Sequence, residues 1–212
     1  MIPYGTFTFF LIAFIVLIPV IILGFLGKRS YIYNGISTAI MIVIIFASDK
    51  HNLLGQKYLS AQLFCFIIYV IWQVALIMYY YQSRQKKNTF TKFVTIMVLS
   101  ILPLAIVKIL QSSWLGGHQI HFHESKLIEF VGFLGISYVT FKSVQLIMEI
   151  RDGSIKEIKV GKLIQFISFF PTISSGPIDR YKRFVKDDKK VLSGVEYREL
   201  VVKAIHMIML GF

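Results

Sequence analysis

Residues 6–26 read TFTFFLIAFIVLIPVIILGFL, twenty-one residues in succession without a charged side chain. A helix of roughly 20 apolar residues crosses the ~30 Å hydrocarbon layer of a bilayer, so this run is long enough to span it. Four further runs approach or reach that length, at residues 31–48, 59–81, 91–110 and 127–150. They predict an all-α, polytopic membrane helix bundle, because a spanning segment must satisfy its backbone groups internally. The composition agrees, with 56% hydrophobic residues, 16% charged residues and a mean hydropathy of +0.68. The net charge of +12 does not point to nucleic acid, since Lys and Arg sit between apolar runs rather than along one amphipathic face. Cys65 is the single cysteine, so an intrachain disulfide is excluded, and its setting in LFCFIIYV reads as a small buried apolar residue. The N-terminus has no basic leader and no small-residue cleavage site, and is expected to be retained as a first span.

The placement of positive charge predicts an orientation. With the N-terminus outside, the connections at 27–30, 82–92, 150–162 and 179–190 fall inside and hold sixteen Lys or Arg, against three in the outer loops 48–58 and 111–126. A multi-pass protein of the cell membrane with its N-terminus outside follows. That arrangement requires residues 163–178, LIQFISFFPTISSGPI, to enter and leave on one side. The segment is short and is interrupted by Pro171, Gly176 and Pro177, which free backbone groups that neighbouring protein or a wet cavity must satisfy. It is expected to be re-entrant or half-spanning, the alternative being an ordinary kinked helix. Residues 179–199 place Tyr181, Phe184, Val185 and Val191 among many charges, the pattern of an interfacial segment on anionic lipid or of a solvated loop. Residues 200–212, LVVKAIHMIMLGF, are too few to cross as a helix and are expected to begin an unfinished one. One integral membrane domain over 1–212, incomplete at its C-terminus, is therefore expected. It comprises N-terminal helices in 1–126, a core in 127–184, a basic interfacial segment in 179–199 and the start of a helix in 200–212.

Tyr138, Lys142, Gln145 and Glu149 recur at helical spacing within one apolar run, which puts them on one face of the fifth helix. Ionisable groups at membrane depth pair with one another or line a cavity, so the face predicts a functional cavity, a snorkelling lysine or a Lys–Glu pair. Lys108, near the end of its run, reads as snorkelling. His118, His121, His123 and Glu124 lie together in an outer loop without the spacing of a closed zinc site, and no metal is expected. His206 reads as a packed helix histidine rather than a base.

The stretches GISYVTFKSVQLIMEIRDGSI (135–155) and LIQFISFFPTISSGPIDRYKRF (163–184) resemble the membrane-bound O-acyltransferase family. Its pattern runs G-I-S-x-x-T-F, then F-F-P, then G-P-I-x-R-Y. Within that family, the N-terminal region and HQIHFHESKLIEF resemble the D-alanyl-transferring branch of Gram-positive bacteria, in its staphylococcal form, over about its first half. The resemblance implies transfer of D-alanine from the phosphopantetheine thioester of a carrier protein toward lipoteichoic or teichoic acid, directly or through a relay protein. It implies membrane lipids and the C-terminal half as partners, no nucleic acid, and no cofactor bound by the chain itself. Gly135, Phe169, Phe170, Pro171, Gly176, Pro177 and Arg180 match the family pattern and are expected to shape backbone around a central cavity. The family's catalytic histidine and its W-H-x-S-L-type motif have no counterpart here, so no catalytic residue is assigned and the chain alone is expected to be inactive. An ion or small-solute transporter component, or a non-catalytic membrane protein, is the alternative, since broken helices also mark transport sites.

Overall fold

The computed structural model describes residues 7–28, 31–47, 57–86, 89–111, 135–173, 179–190 and 192–210. Among them are eight α-helices and no strand. In chain order these are α1 (Phe7–Phe25), α2 (Tyr31–Ala47), α3 (Lys57–Lys86), α4 (Phe90–Gln111), α5 (Ile136–Arg151), α6 (Val160–Ser168), α7 (Tyr181–Lys189) and α8 (Gly194–Leu210). A 3-10 turn at Phe170–Thr172 follows α6. Helix α1 and the segments Gln62–Lys86 and Phe90–Ile109 are long and apolar enough to cross a membrane, and α2 is a shorter apolar helix. The chain is an all-α membrane helix bundle. Most of α1 is exposed, with Phe7 at 82% and Phe14 at 61%, a surface that only hydrocarbon can solvate without cost.

Two compact units divide the chain, Met1–Lys50 with Val185–Phe212, and His51–Phe184. In the first, α1 packs against α2 and α8. A Cβ at position 24 would run into the Tyr197 ring, so glycine there lets the ring lie flat on the α1 backbone. Tyr197 also meets the Phe25 ring edge-on at 5.2 Å. The start of α8 is fixed by a capping box. The Ser193 backbone N–H and hydroxyl both donate to Glu196 at 2.9 Å, and the Glu196 N–H donates back to the Ser193 hydroxyl. These bonds, the backbone one foremost, hold the Glu196 carboxyl below the usual carboxylate range.

In the second unit α3, α4 and α5 pack mutually, and α6 rests on α3 and α5. Tyr69 of α3 meets Thr140 of α5 at 2.6 Å, and twelve residues on Tyr81 donates to the Lys156 carbonyl just beyond α5. The two helices therefore run parallel. Arg151 at the end of α5 lies 4.4 Å from the Phe93 ring at the start of α4, which makes α4 antiparallel to both. The connection between α3 and α4 and the one after α5 thus lie at one end of this bundle.

Three boundaries differ from the sequence expectation. Gly135 takes φ 94°, so α5 begins at Ile136 and no helix runs unbroken through residues 127–150. Residues 127–134 themselves lie outside the described residues. Helix α3 continues five residues past Tyr81 to Lys86, its basic last turn matching the negative end of the helix dipole. Helix α8 starts at Gly194, six residues before the apolar run at 200, because the capping box outweighs the change in polarity.

Candidate functional site

The polar residues of α5 form two separate clusters. Lys142 is 1% exposed. Its Nζ donates to the Phe166 carbonyl at 3.2 Å and to the Thr172 hydroxyl at 2.7 Å, and stands 5.5 Å from the Phe166 ring. The local chain explains why these acceptors are available. The last carbonyls of any helix lack an intrahelical donor, and Phe166 is in the last turn of α6. Pro171 has no N–H to continue the ladder, and Phe169 leaves the helix at φ −55°, ψ 110°. The break is then stitched, with Thr172 Oγ1 donating to the Phe169 carbonyl at 3.3 Å and the Thr172 N–H to the same oxygen at 3.1 Å. The lysine thus serves as a cationic cap on the negative end of α6.

Gly135 belongs to the same cluster. A Cβ there would collide with the Ile173 carbonyl, and φ 94° lies in the left-handed region that favours glycine. The start of α5 therefore abuts the end of the 3-10 turn. Phe170 is buried, while Phe169 and Phe166 each meet the Phe184 ring at 5.5 Å and Phe166 meets Tyr181 at the same distance. Burial pushes the Tyr181 hydroxyl above the usual phenol range. Helix α7 sets Tyr181, Phe184, Val185 and Asp188 on its more buried side and Lys182, Arg183 and Lys186 on its exposed one, the expected amphipathic pattern.

The second cluster lies seven residues along α5, about 10 Å by helical rise. Glu149 pairs with Arg180 at 3.9 Å, so of the three alternatives for this face the Lys142–Glu149 pair is not the one formed among the described residues. Their separate partners divide the polar face in two. Gln145 Oε1 and Glu149 Oε2 are buried and have no hydrogen-bond partner among the described residues. Tyr138 is half-buried on the same helix, and Lys108 is exposed. The structure thus brings Gly135, Lys142, Phe169, Phe170 and Pro171 together, and separately Glu149 and Arg180. Gly176, Pro177 and the histidine loop at 118–124 lie outside the described residues.

Sequence reasoning missed Thr172 and a buried network joining three helices. Gln73 donates to Tyr69 Oη at 2.8 Å and to the Ser100 carbonyl at 3.0 Å, and accepts from Ser100 Oγ at 2.7 Å. Thr140, the partner of Tyr69, donates to the Ile136 carbonyl. The signal was present, since a glutamine and a serine within apolar runs need partners inside the bundle.

These features define a helical membrane protein in which a broken helix is closed by a buried lysine. No protein-family model matches the chain. Its sequence is 46% identical over 213 residues to the teichoic acid D-alanyltransferase of Bacillus subtilis (strain 168), covering 100% of this chain and 50% of that protein. It is 42% identical to the teichoic acid D-alanyltransferase of Lacticaseibacillus rhamnosus, over 99% of this chain and 48% of that one. Against that of Streptococcus thermophilus the figures are 32%, 99% and 46%. By sequence the chain is a relative of the teichoic acid D-alanyltransferases, and it spans about half the length of those it matches.

Proposed function

We propose that the chain forms half of a membrane-bound O-acyltransferase that moves D-alanine toward lipoteichoic or teichoic acid. Whole-chain identity of 46% to a teichoic acid D-alanyltransferase carries this reading. The donor is D-alanine on the phosphopantetheine thioester of a carrier protein, and the acceptor is a hydroxyl of the polymer or of a relay protein. The acyl carbon leaves sulfur for oxygen, and the hydroxyl proton passes through a base to the departing thiolate. Donors must also meet the tetrahedral oxyanion.

On this reading, residues 1–212 contribute to one integral membrane domain that crosses the bilayer several times with its N-terminus outside. Its two clusters on α5 shape the wall of the reaction cavity. Gly135, Phe169, Phe170 and Pro171 set the broken backbone, Lys142 closes it, Arg180 with Glu149 stands at the cytoplasmic mouth, and Gly176 and Pro177 belong to the same family pattern. Tyr138 and Gln145 complete the polar wall. The base comes from outside this chain, as none of its five histidines sits in a motif of the family.

Two measurements test the reading. Cysteines introduced at Asn52 and Gln119 should react with an impermeant thiol reagent applied to intact cells, and one at Lys87 should not; labelling at Lys87 alone would reverse the orientation. The purified 1–212 chain, given charged carrier protein and acceptor, should transfer no D-alanine above a carrier-only control. Co-expression with the remaining half of a relative should restore transfer. Robust turnover by the isolated chain would place the base within it, with His206 the first residue to replace.

A further inference from the structure

The bundle end formed by the α3–α4 connection and the segment after α5 gathers positive charge around an aromatic floor. The apolar segment Gln62–Lys86 carries Tyr80 and Arg84 in its last two turns, four residues apart and so on one face. From α5, the Arg151 guanidinium lies 4.4 Å from the Phe93 ring and 5.7 Å from the Phe90 ring. The Tyr80 ring stands 6.2 Å from the same Phe93 ring. Arg84 Nη2 rests against Gly153, just past α5, 3.0 Å from where a side chain would begin. Arg84, Arg151 and Asp152 are the charged groups near the Tyr80 hydroxyl. Arg151 stands about 160° around α5 from Glu149, so this cluster is apart from the Glu149–Arg180 pair.

The cluster holds donors that the chain itself does not use. Tyr80 is 2% exposed, yet its hydroxyl has no hydrogen-bond partner among the described residues, and neither has the buried Nε of Arg84. Stacking on Phe93 occupies the face of the Arg151 guanidinium and leaves its N–H edge free. No ion pair among the described residues engages Arg84, Arg151 or Asp152. With two guanidinium groups against the one exposed carboxylate of Asp152, the cluster is net positive. Buried donors and neighbouring cations without acceptors are costly, and an anion that accepts from all of them removes the cost. Guanidinium forks match the oxygens of a phosphate, and the tyrosine hydroxyl adds one further donor.

Position decides which phosphate fits. Arg84 lies two residues from the end of its apolar segment and Tyr80 six, about 3 and 9 Å by helical rise, which is headgroup depth for a spanning helix. Phe90, beside Arg151, is 68% exposed, and Val94, Val98 and Ile101 continue an exposed apolar surface along α4. Hydrocarbon therefore borders the donors, and a zwitterionic headgroup would bring a further cation to a site already positive. We propose that Tyr80, Arg84 and Arg151 bind the phosphate of an anionic phospholipid whose acyl chains lie along the exposed side of α4. Basic pockets between spanning helices hold such headgroups at the cytoplasmic surface of other membrane proteins. The site does not depend on the acyl-transfer reading, and its test reads binding rather than turnover.

The experiment adds phosphatidylglycerol with a photoactivatable acyl chain to the purified chain in detergent and maps the adducts by peptide mass spectrometry. Adducts should fall on residues 90–101 and, at limiting lipid, exceed those from the matching phosphatidylcholine about tenfold. Arg84→Gln combined with Arg151→Gln should remove that excess, while Lys203→Gln, at an exposed position of the other unit, should keep it. Tyr80→Phe deletes only a hydroxyl that has no partner, so it should hold the thermal midpoint and lower the yield about threefold. That variant keeps the test decisive if the double arginine variant folds poorly. Excess inorganic phosphate should leave most of the adduct in place. Equal labelling by the two lipids, labelling indifferent to both the arginine and the tyrosine variants, or full displacement by inorganic phosphate would each overturn the proposal.

Discussion

Helices α5 and α8 both set ionisable residues at helical spacing inside apolar sequence, yet they treat them differently. On α5 the ammonium of Lys142 is sealed, with acceptors supplied by the broken end of α6 and the turn that follows. On α8 Lys203 and its neighbours stand exposed. The same pattern therefore has two outcomes, and the local backbone separates them. A lysine can be buried where a helix end leaves carbonyls without donors, and α5 faces such an end. Helix α8 faces α1 with its small and aromatic side, and among the described residues of its unit no interrupted helix meets its charged side.

The largest expected effect follows from sealing. Lys142→Met leaves the Phe166 carbonyl without its donor and removes the bond to Thr172, while relieving the desolvation of a cation. An orphaned buried polar group costs about 1–3 kcal/mol, and since both acceptors remain in place the penalty should win. The chain in detergent should lose about 2–3 kcal/mol of stability, read from thermal unfolding, with new proteolytic cleavage near residues 166–172. A Met variant as stable as the parent would break the contrast between the two helices, because Lys142 would then be no more committed than Lys203.

Much of this was legible in the chain, and the failures have physical causes. The long apolar helices α1, α3 and α4 follow from apolar run length alone, and the run at 31–48 gives the shorter apolar helix α2. The break after α6 was legible in Pro171, whose missing N–H acts wherever it sits. The polar face of α5 was legible from spacing, but its partners were not. Spacing fixes direction within one helix, whereas the Phe166 carbonyl and Thr172 come from a segment some 24 to 30 residues on. Gly135 was matched as a motif residue, yet its reason, the approach of the Ile173 carbonyl, is a tertiary fact. Gln73 and Ser100 passed unnoticed because neither belongs to a longer polar stripe at helical spacing that marks a face, and only packing makes them neighbours.

A smaller effect is expected where sealing is shared among several groups. Gln73 is fully buried and joins Tyr69 of α3 to Ser100 of α4 through three hydrogen bonds. Interhelical polar contacts in membranes average about 0.6 kcal/mol and reach about 1.7. Gln73→Leu should therefore cost about 1–1.5 kcal/mol, less than Lys142→Met, since Ser100 and Tyr69 can turn to remaining partners such as Thr140. Thermal midpoints of the two variants in the same detergent rank them. A Gln73→Leu loss exceeding that of Lys142→Met would show that the three-helix network, and not the capped break, is what the bundle depends on.

The smallest effect belongs to α8, and its smallness is the informative part. Lys203 is exposed, so replacing it removes no buried donor, and surface substitutions of this kind stay within about 0.5 kcal/mol. Lys203→Met in the chain alone should leave the thermal midpoint unchanged within that range, or raise it slightly by extending the apolar surface toward detergent. A large loss in the chain alone would mean that Lys203 is already engaged, and the contrast with Lys142 would collapse from the other side.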